Sequence, residues 1–296
     1  MSLYADLQQF GDVRMDAPLA ERTTLGVGGH AAMLFRPRDE EALIQAMLFI
    51  PQDTYVFPIG RGSNLLISDK GIDGLVLDLS DLNTLGTAEH TLTAGAGARM
   101  GKMAQVAAGA GLTGLEFMAT VPGDLGGGVA MNAGAFGQQV SDVLQSVKVL
   151  NRNGKVQVLS REELDMRYRY TALPQGALIL SATFALAEKD VEAIKQTMRD
   201  MRSQRSATQP LDAPNCGSVF KNPEGDFAAR LIESVGLKGK QIGRACISDK
   251  HANFIVNQGG ASCKDVLALI RLAKDMVKAE KGVDLEPEVR LVGCVL

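Results

Sequence analysis

Residues 121–137 read VPGDLGGGVAMNAGAFG, and six of these seventeen positions are glycine. Glycine tolerates positive φ and lets the backbone come into contact with a ligand. Val129, Met131, Asn132 and Phe136 are threaded through the run. A flexible linker would be Gly/Ser with nothing to pack, so this stretch is not one. The spacing predicts a turn at Pro122-Gly123. After it, the backbone amides of Gly126, Gly127 and Gly128 would face an anion at a short helix start. No Lys-Ser/Thr follows, which excludes the P-loop pattern, and the GxGxxG spacing of a dinucleotide fold is absent. A tightly packed backbone crossing remains an equal reading of the same glycines.

Upstream, the strand-like TYVFPIG (54–60) stops at Gly60-Arg61-Gly62-Ser63-Asn64. Such a loop offers backbone amides, a hydroxyl and a carboxamide suited to a diphosphate. A tight turn is the bland alternative.

Composition narrows the function classes. The chain has 296 residues, 46% hydrophobic and 22% charged, which is ordinary for a water-exposed globular protein. A net charge of −3 gives no reason to expect nucleic acid or an anionic membrane as partner. No apolar run approaches a membrane span, and the first residues lack a basic segment followed by an apolar one. Cys216, Cys246, Cys263 and Cys294 form no CxxC pair, and there are only three histidines, so neither a metal site nor a disulfide framework is expected. Cysteines of this kind fit a reducing, cytoplasmic setting.

Hydrophobic periodicity predicts helices over 39–50 (with Asp39 as N-cap), 100–110, 190–203, 227–235 and 262–278. Strands are expected over 71–79, 91–98, 177–186, within 246–257 and over 285–293, with 215–223 strand-like. Residues 146–160 read as a hairpin turning on Asn153-Gly154, and 162–166 as one helical turn. The polar, proline-containing 206–214 suggests a boundary. The class is α+β without regular βα alternation.

Three polar residues sit where a core would not want them: Arg169 between two tyrosines, Ser218 after Gly217, and Glu288 in the last strand. Taken singly, each reads more readily as a surface charge or a turn hydroxyl. Ser218 is in no GxSxG elbow, which disfavours a serine hydrolase. His251 by itself reads as structural.

Together these stretches resemble the UDP-N-acetylenolpyruvoylglucosamine reductase family over nearly the whole chain. The matching segments are TTLGVGG (23–29), GRGSNLLISDKGIDG (60–74), GLEFMATVPGDLGGGVAMNAGAFG (114–137), YRYT (168–171), GSVFKNP (217–223), SDKHANFIVN (248–257) and LEPEVR (285–290). The resemblance implies an α+β fold of three domains. A two-domain FAD-binding module of the vanillyl-alcohol-oxidase (PCMH) type would comprise 1–79, with 290–296 a candidate to join it, and 80–208. A substrate-binding α+β domain would span 209–289.

The resemblance further implies NADPH-dependent, FAD-mediated reduction of UDP-N-acetylglucosamine enolpyruvate to UDP-N-acetylmuramate for peptidoglycan. FAD would be non-covalent, held by Gly60, Arg61, Gly62, Ser63, Asn64, Leu65, Pro122, Gly123, Gly126 and Gly127. Arg169, Ser218 and Glu288 would be catalytic. Arg169 and a proton-bearing Glu288 would stabilise the developing carboxylate charge, and Ser218 would donate a proton to carbon. Lys221, Asn222 and His251 match substrate-side positions. No metal, nucleic acid or membrane is implied, and a cytoplasmic monomer is expected.

Some positions depart from the family pattern: Asp124 stands where Thr or Ser is usual, Thr171 where Ser is common, and Arg22 where Asn precedes Thr-Thr. The chain is also short between Thr171 and Ala177, which marks the shorter subclass and leaves Arg205 as the one candidate for the substrate diphosphate. Two other readings predict different behaviour. A flavin oxidase would react fast with oxygen, and a non-enzymatic nucleotide-binding module would have no use for the three polar residues.

Overall fold

The computed structural model describes residues 3–296. The chain divides into two compact units. One comprises Met1–Met15, Met33–Gly60 and Gly74–Arg205, and the other Asp16–Ala32, Arg61–Asp73 and Ser206–Leu296.

The first unit holds most of a four-stranded sheet in the order Gly11–Pro18, His30–Pro37, Ile72–Asp78, Val56–Ile59. Val56–Ile59 and Ile72–Asp78 run parallel, with Val56 opposite Leu75 and Ile59 opposite Asp78. A parallel pair needs a crossover rather than a tight hairpin, so Gly60 leaves the sheet at the carboxyl end of its strand. Ligands in open α/β sheets gather at that end. The helix Glu40–Met47 starts as expected: the Asp39 carboxylate accepts from the Ala42 N–H at 2.8 Å, and Leu43, Ala46 and Met47 face the core.

A five-stranded antiparallel sheet fills the rest of this unit, in the order Val156–Ser160, Leu144–Leu150, Leu178–Ala185, Thr91–Gly95, Leu85–Ala88. Val147, Val149, Leu178, Leu180 and Phe184 are buried, while Lys148 on the opposite side of its strand pairs with Glu40. The 146–160 hairpin forms with a wider loop than Asn153-Gly154 alone implies. The Asn151 N–H donates to the Lys155 carbonyl, and Gly154 takes φ 79°. The helix Val191–Thr208 runs five residues beyond its expected end and stops before Gln209-Pro210. Proline restrains the residue before it from helical geometry. The helical turn expected over 162–166 is absent. Met166–Arg167 instead pairs with Tyr170–Thr171 as a hairpin.

In the second unit, the antiparallel strands Gln241–Ile242, Ala245–Ile247 and Ile255–Asn257 pack with the helices Ala228–Ser234 and Cys263–Lys281. The long helix begins with a capping box between Ser262 and Asp265 and ends at Gly282 with φ 71°. Leu65–Ile67 and Arg290–Val292 form a parallel pair. Two expectations are corrected here. Residues 215–223 form no strand, because Asn215 and Phe220 make only isolated bridges to Val256 and Pro287. The last strand is short, and Glu288 lies just before it. Pro287 has no N–H for a ladder, which limits the pairing there.

The segment 23–27 ties this unit together. The Thr24 hydroxyl donates to the Asn215 carbonyl at 2.7 Å, and the Asn257 carboxamide donates to the Leu25 carbonyl at 3.0 Å. Leu25 and Val27 are buried in the same core as Phe220 and Ile270.

Candidate functional site

The first unit positions Arg169. Tyr168 and Arg169 are the two-residue loop of the hairpin, whose register is Arg167 opposite Tyr170 and Met166 opposite Thr171. Arg169 takes φ 56°. That conformation costs a side-chain-bearing residue of order 1–3 kcal/mol, and it persists only where the surroundings impose it. The 121–137 stretch imposes it. The Thr171 hydroxyl donates to the Val129 carbonyl at 2.6 Å, and the Asn132 carboxamide donates to the Arg167 carbonyl at 3.0 Å. Asn132 is fully buried with φ 42°, and its Oδ1 accepts from the Ser141 N–H at 2.9 Å. The Arg169 guanidinium then donates through Nη2 to the Gly134 carbonyl at 3.1 Å and stacks 4.9 Å from the centre of the Tyr168 ring. Asn132 and the Gly134 carbonyl were missed as positioning elements. An Asn within a glycine-rich run is the signal that pointed to them, since Asn tolerates left-handed geometry.

The glycines of this stretch divide by what surrounds them. Residues Leu125–Ala130 form a short helix entered through Gly123 at φ 113°. The Gly126 N–H donates to the Ala96 carbonyl at 2.8 Å and the Gly128 N–H to the Asp124 carbonyl at 3.0 Å. This corrects the picture of three amides facing an anion, since two of them are already engaged within the chain. A Cβ on Gly128 would lie 2.6 Å from the Met100 sulfur, so a larger residue there would require the buried Met100 side chain to shift. A Cβ on Gly127 would meet nothing within 4 Å, and Gly127 is exposed. Nothing in the packing explains glycine at that position. A Cβ on Gly60 would lie 2.7 Å from the Asp124 carboxylate, so the strand end and the Pro122–Gly128 turn meet in this unit. Asp124 itself is buried, and its backbone bridges Arg99.

The second unit holds Arg61, Gly62, Ser63, Asn64 and Leu65. Gly62 is buried with φ 59°, and a Cβ there would strike the Arg22 carbonyl at 2.2 Å. Only glycine fits. Asn64 works on the backbone: its carboxamide donates to the Glu288 carbonyl at 3.0 Å, and its own carbonyl accepts from the Arg290 N–H at 3.0 Å. The Glu288 N–H donates to the Val219 carbonyl at 2.8 Å, next to the Phe220–Pro287 bridge. Ser218 and Glu288 are thereby carried on paired segments. The Ser218 side chain is half-buried, and its hydroxyl makes no hydrogen bond among the described residues.

Asn253 holds this arrangement and was also missed. Its Oδ1 accepts from the Phe220 N–H at 2.9 Å and its Nδ2 donates to the Phe220 carbonyl at 2.8 Å, with the residue 2% exposed. A buried Asn inside HANFIVN is the sequence signal, because such a group must find partners. Burial pushes the nearby Cys216 thiol up to about 12, with the Glu288 charge adding to the effect, so Cys216 stays a neutral thiol.

Lys221 pairs with Glu286 at 2.5 Å, and the Asn222 carboxamide oxygen accepts from the Ala228 N–H at 3.1 Å at the start of a helix. Both therefore have structural tasks. His251 sits edge-on to Phe254, ring centres 4.8 Å apart, and its Nδ1 accepts from the Asn253 N–H at 3.3 Å. Burial lowers its pKa below the usual value. No group of metal-ligating side chains occurs among the described residues.

Comparison with known proteins supplies the family. A family model described as UDP-N-acetylenolpyruvoylglucosamine reductase, C-terminal domain, matches residues 209–292. A second, described as FAD binding domain, matches residues 31–160. The chain is 41% identical to the UDP-N-acetylenolpyruvoylglucosamine reductase of Agathobacter rectalis, over 99% of this chain and 97% of that protein. It is 40% identical to the one from Caldanaerobacter subterraneus, over 96% of this chain and 94% of that protein. The crystal structure of the reductase from Thermus caldophilus matches with a TM-score of 0.82 at 36% identity, over 95% of this chain and 98% of that one. The α+β fold thus comprises an FAD-binding domain and a C-terminal domain of the reductase family. From end to end, the chain belongs to the UDP-N-acetylenolpyruvoylglucosamine reductase family.

Proposed function

We propose that this protein is an NADPH-dependent oxidoreductase that uses non-covalent FAD to reduce UDP-N-acetylglucosamine enolpyruvate to UDP-N-acetylmuramate, a step of peptidoglycan precursor synthesis. The observation that carries the reading is the pairing of the Ser218 and Glu288 segments in a chain that matches such reductases over nearly its full length.

The residues present fit the cofactor. Gly127 is exposed in the short Leu125–Ala130 helix, and open space lies where its Cβ would be. That is the room a close-lying planar or phosphate group would take. Gly60, Pro122, Gly123 and Gly126 bound the same turn, and Arg61, Gly62, Ser63, Asn64 and Leu65 continue the loop. These residues would hold FAD, which would supply hydride transfer between the nicotinamide and the substrate's vinyl methylene carbon.

The chain's own groups do the rest. Arg169, held by Gly134 and Tyr168, presents a fixed cation to the substrate carboxylate as charge develops on it. Glu288, protonated at a carboxyl oxygen, donates a hydrogen bond to the same charge. The Ser218 hydroxyl donates its proton to the carbon next to the carboxylate, and the site must regenerate that proton after turnover. Lys221, Asn222 and His251 lie on the substrate side in this reading. The module 1–79 with 80–208 holds the cofactor and 209–289 the substrate. The nucleotide sugar and NADPH place the reaction in the cytoplasm.

The test is anaerobic. NADPH should bleach the flavin absorbance of the purified protein. Addition of the enolpyruvyl nucleotide should restore it with formation of a product two hydrogens heavier. Reduced flavin that this nucleotide leaves unchanged would overturn the reading.

A further inference from the structure

Outside the site, one pair of nucleophilic side chains comes together in the second unit. Val292 lies opposite Ile67 in the parallel pair, and the Ser68 N–H donates to the Val292 carbonyl at 2.9 Å. The two segments therefore leave the pair side by side. On one, Asp69 accepts from the N–H groups of Cys263 and Lys264 at 2.8 and 3.2 Å, which seats the start of the Cys263–Lys281 helix there. On the other, Cys294 turns inward, its Sγ 3.6 Å from the Leu66 carbonyl. Cys263 belongs to the buried cluster of this unit, and Cys294 packs against that same cluster. Cys263 is 2% exposed, and Cys294 is half-buried.

We propose that Cys263 and Cys294 form a dithiol that hydrogen peroxide converts into an intramolecular disulfide. Cys294, the more accessible, attacks the peroxide O–O bond as its thiolate. One oxygen becomes bound to sulfur, and the other leaves as hydroxide, which is protonated to water. The Cys263 sulfur then attacks the Cys294 sulfur and forms the S–S bond. The Cys263 proton departs with the sulfenic hydroxyl as a second water. Two thiols and one peroxide thus give one disulfide and two waters; both sulfurs are oxidised and both peroxide oxygens are reduced.

The order of attack follows from the surroundings. Burial and the neighbouring Cys294 push the Cys263 thiol up to about 12. Cys263 is therefore a poor first nucleophile, and it acts only once an electrophilic sulfur is in contact with it. The bond would fasten Cys294, two residues past the strand Arg290–Val292 that follows Glu288, to the start of the Cys263–Lys281 helix. The inference does not depend on the reading of the reaction.

The experiment treats the full-length protein with hydrogen peroxide, alkylates remaining thiols with N-ethylmaleimide after unfolding, and maps peptides by mass. A peptide linking Cys263 to Cys294, two hydrogens lighter than the reduced pair and released by dithiothreitol, is the expected result. Cys294→Ser should abolish the link and leave Cys263 alkylated, whereas Cys246→Ser should keep it. The proposal is overturned if both thiols stay alkylatable at peroxide levels that oxidise free glutathione. It is equally overturned if Cys294 becomes a sulfinic acid with Cys263 reduced, or if Cys294 links two molecules.

Discussion

The guanidinium of Arg169 donates to the carbonyl of Gly134, 3.1 Å away, and lies over the Tyr168 ring. A residue in left-handed geometry at a hairpin tip is thus held by a second loop rather than by its own strand. Lysine cannot both fork and stack in this way. Arg169→Lys should slow reoxidation of the reduced enzyme by the enolpyruvyl nucleotide ~10²- to 10³-fold, the loss typical of one preorganised donor. Tyr168→Phe keeps the ring face and should stay near wild type. Tyr168→Leu should lose ~2- to 30-fold in the same half-reaction. Stopped-flow traces of each half-reaction measure this. Equal rates for the Phe and Leu variants would remove the ring from the mechanism.

Ser218→Ala tests the proton donor. Flavin reduction by NADPH needs no proton from Ser218 and should keep its rate. Reoxidation by substrate should slow ~10²- to 10⁴-fold, with little change in substrate affinity. Ser218→Cys should recover part of the rate, because a thiol also donates. An alanine variant reoxidised at the wild-type rate would exclude the role.

Gly127→Ala separates cofactor space from packing. Its Cβ meets nothing in the protein, and alanine is favoured over glycine inside a helix by about 1 kcal/mol. The cofactor-free protein should be as stable as wild type or slightly more so, while the fraction carrying flavin after purification falls. Undiminished flavin content would show that the open space is not the cofactor's.

Asn253→Leu leaves the Phe220 N–H and carbonyl without their partner in a buried site. Each orphaned group should cost about 1–3 kcal/mol. The urea midpoint should fall with an unchanged slope. A midpoint equal to wild type would mean that water or another group replaces the carboxamide.

His251 sets a pH dependence of stability. Burial depresses its folded pKa, so between that value and the unfolded value of about 6.5 the unfolded chain binds the extra proton. Stability should therefore be full above about 6.5 and fall as pH drops through this window. His251→Gln should flatten that part of the curve. Thermal midpoints between pH 5 and 8 for both proteins give the comparison, and parallel curves would refute the assignment.

The sequence determined much of this by itself. Asp39 carries local capping chemistry, and a cap acts within four residues, so that helix start was readable from residue order. The hairpin read over 146–160 from its Asn153-Gly154 turn and the strand read over 177–186 rested on equally local patterns, and both regions form strands. The motif order around Arg169, Ser218 and Glu288 was enough to indicate the family. Residue order does not contain what those motifs do to one another. Whether a glycine amide is open to a ligand depends on a carbonyl such as that of Ala96, thirty positions before Gly126. That Tyr168 and Arg169 turn a hairpin, rather than follow a helical turn, is decided by Val129, Asn132 and Gly134. Asn64 reads as a phosphate ligand in the sequence, yet in the folded chain it grips Glu288, 224 positions away. Hydrogen bonds across such separations form only once the core has brought the segments together, so only the tertiary structure could assign them.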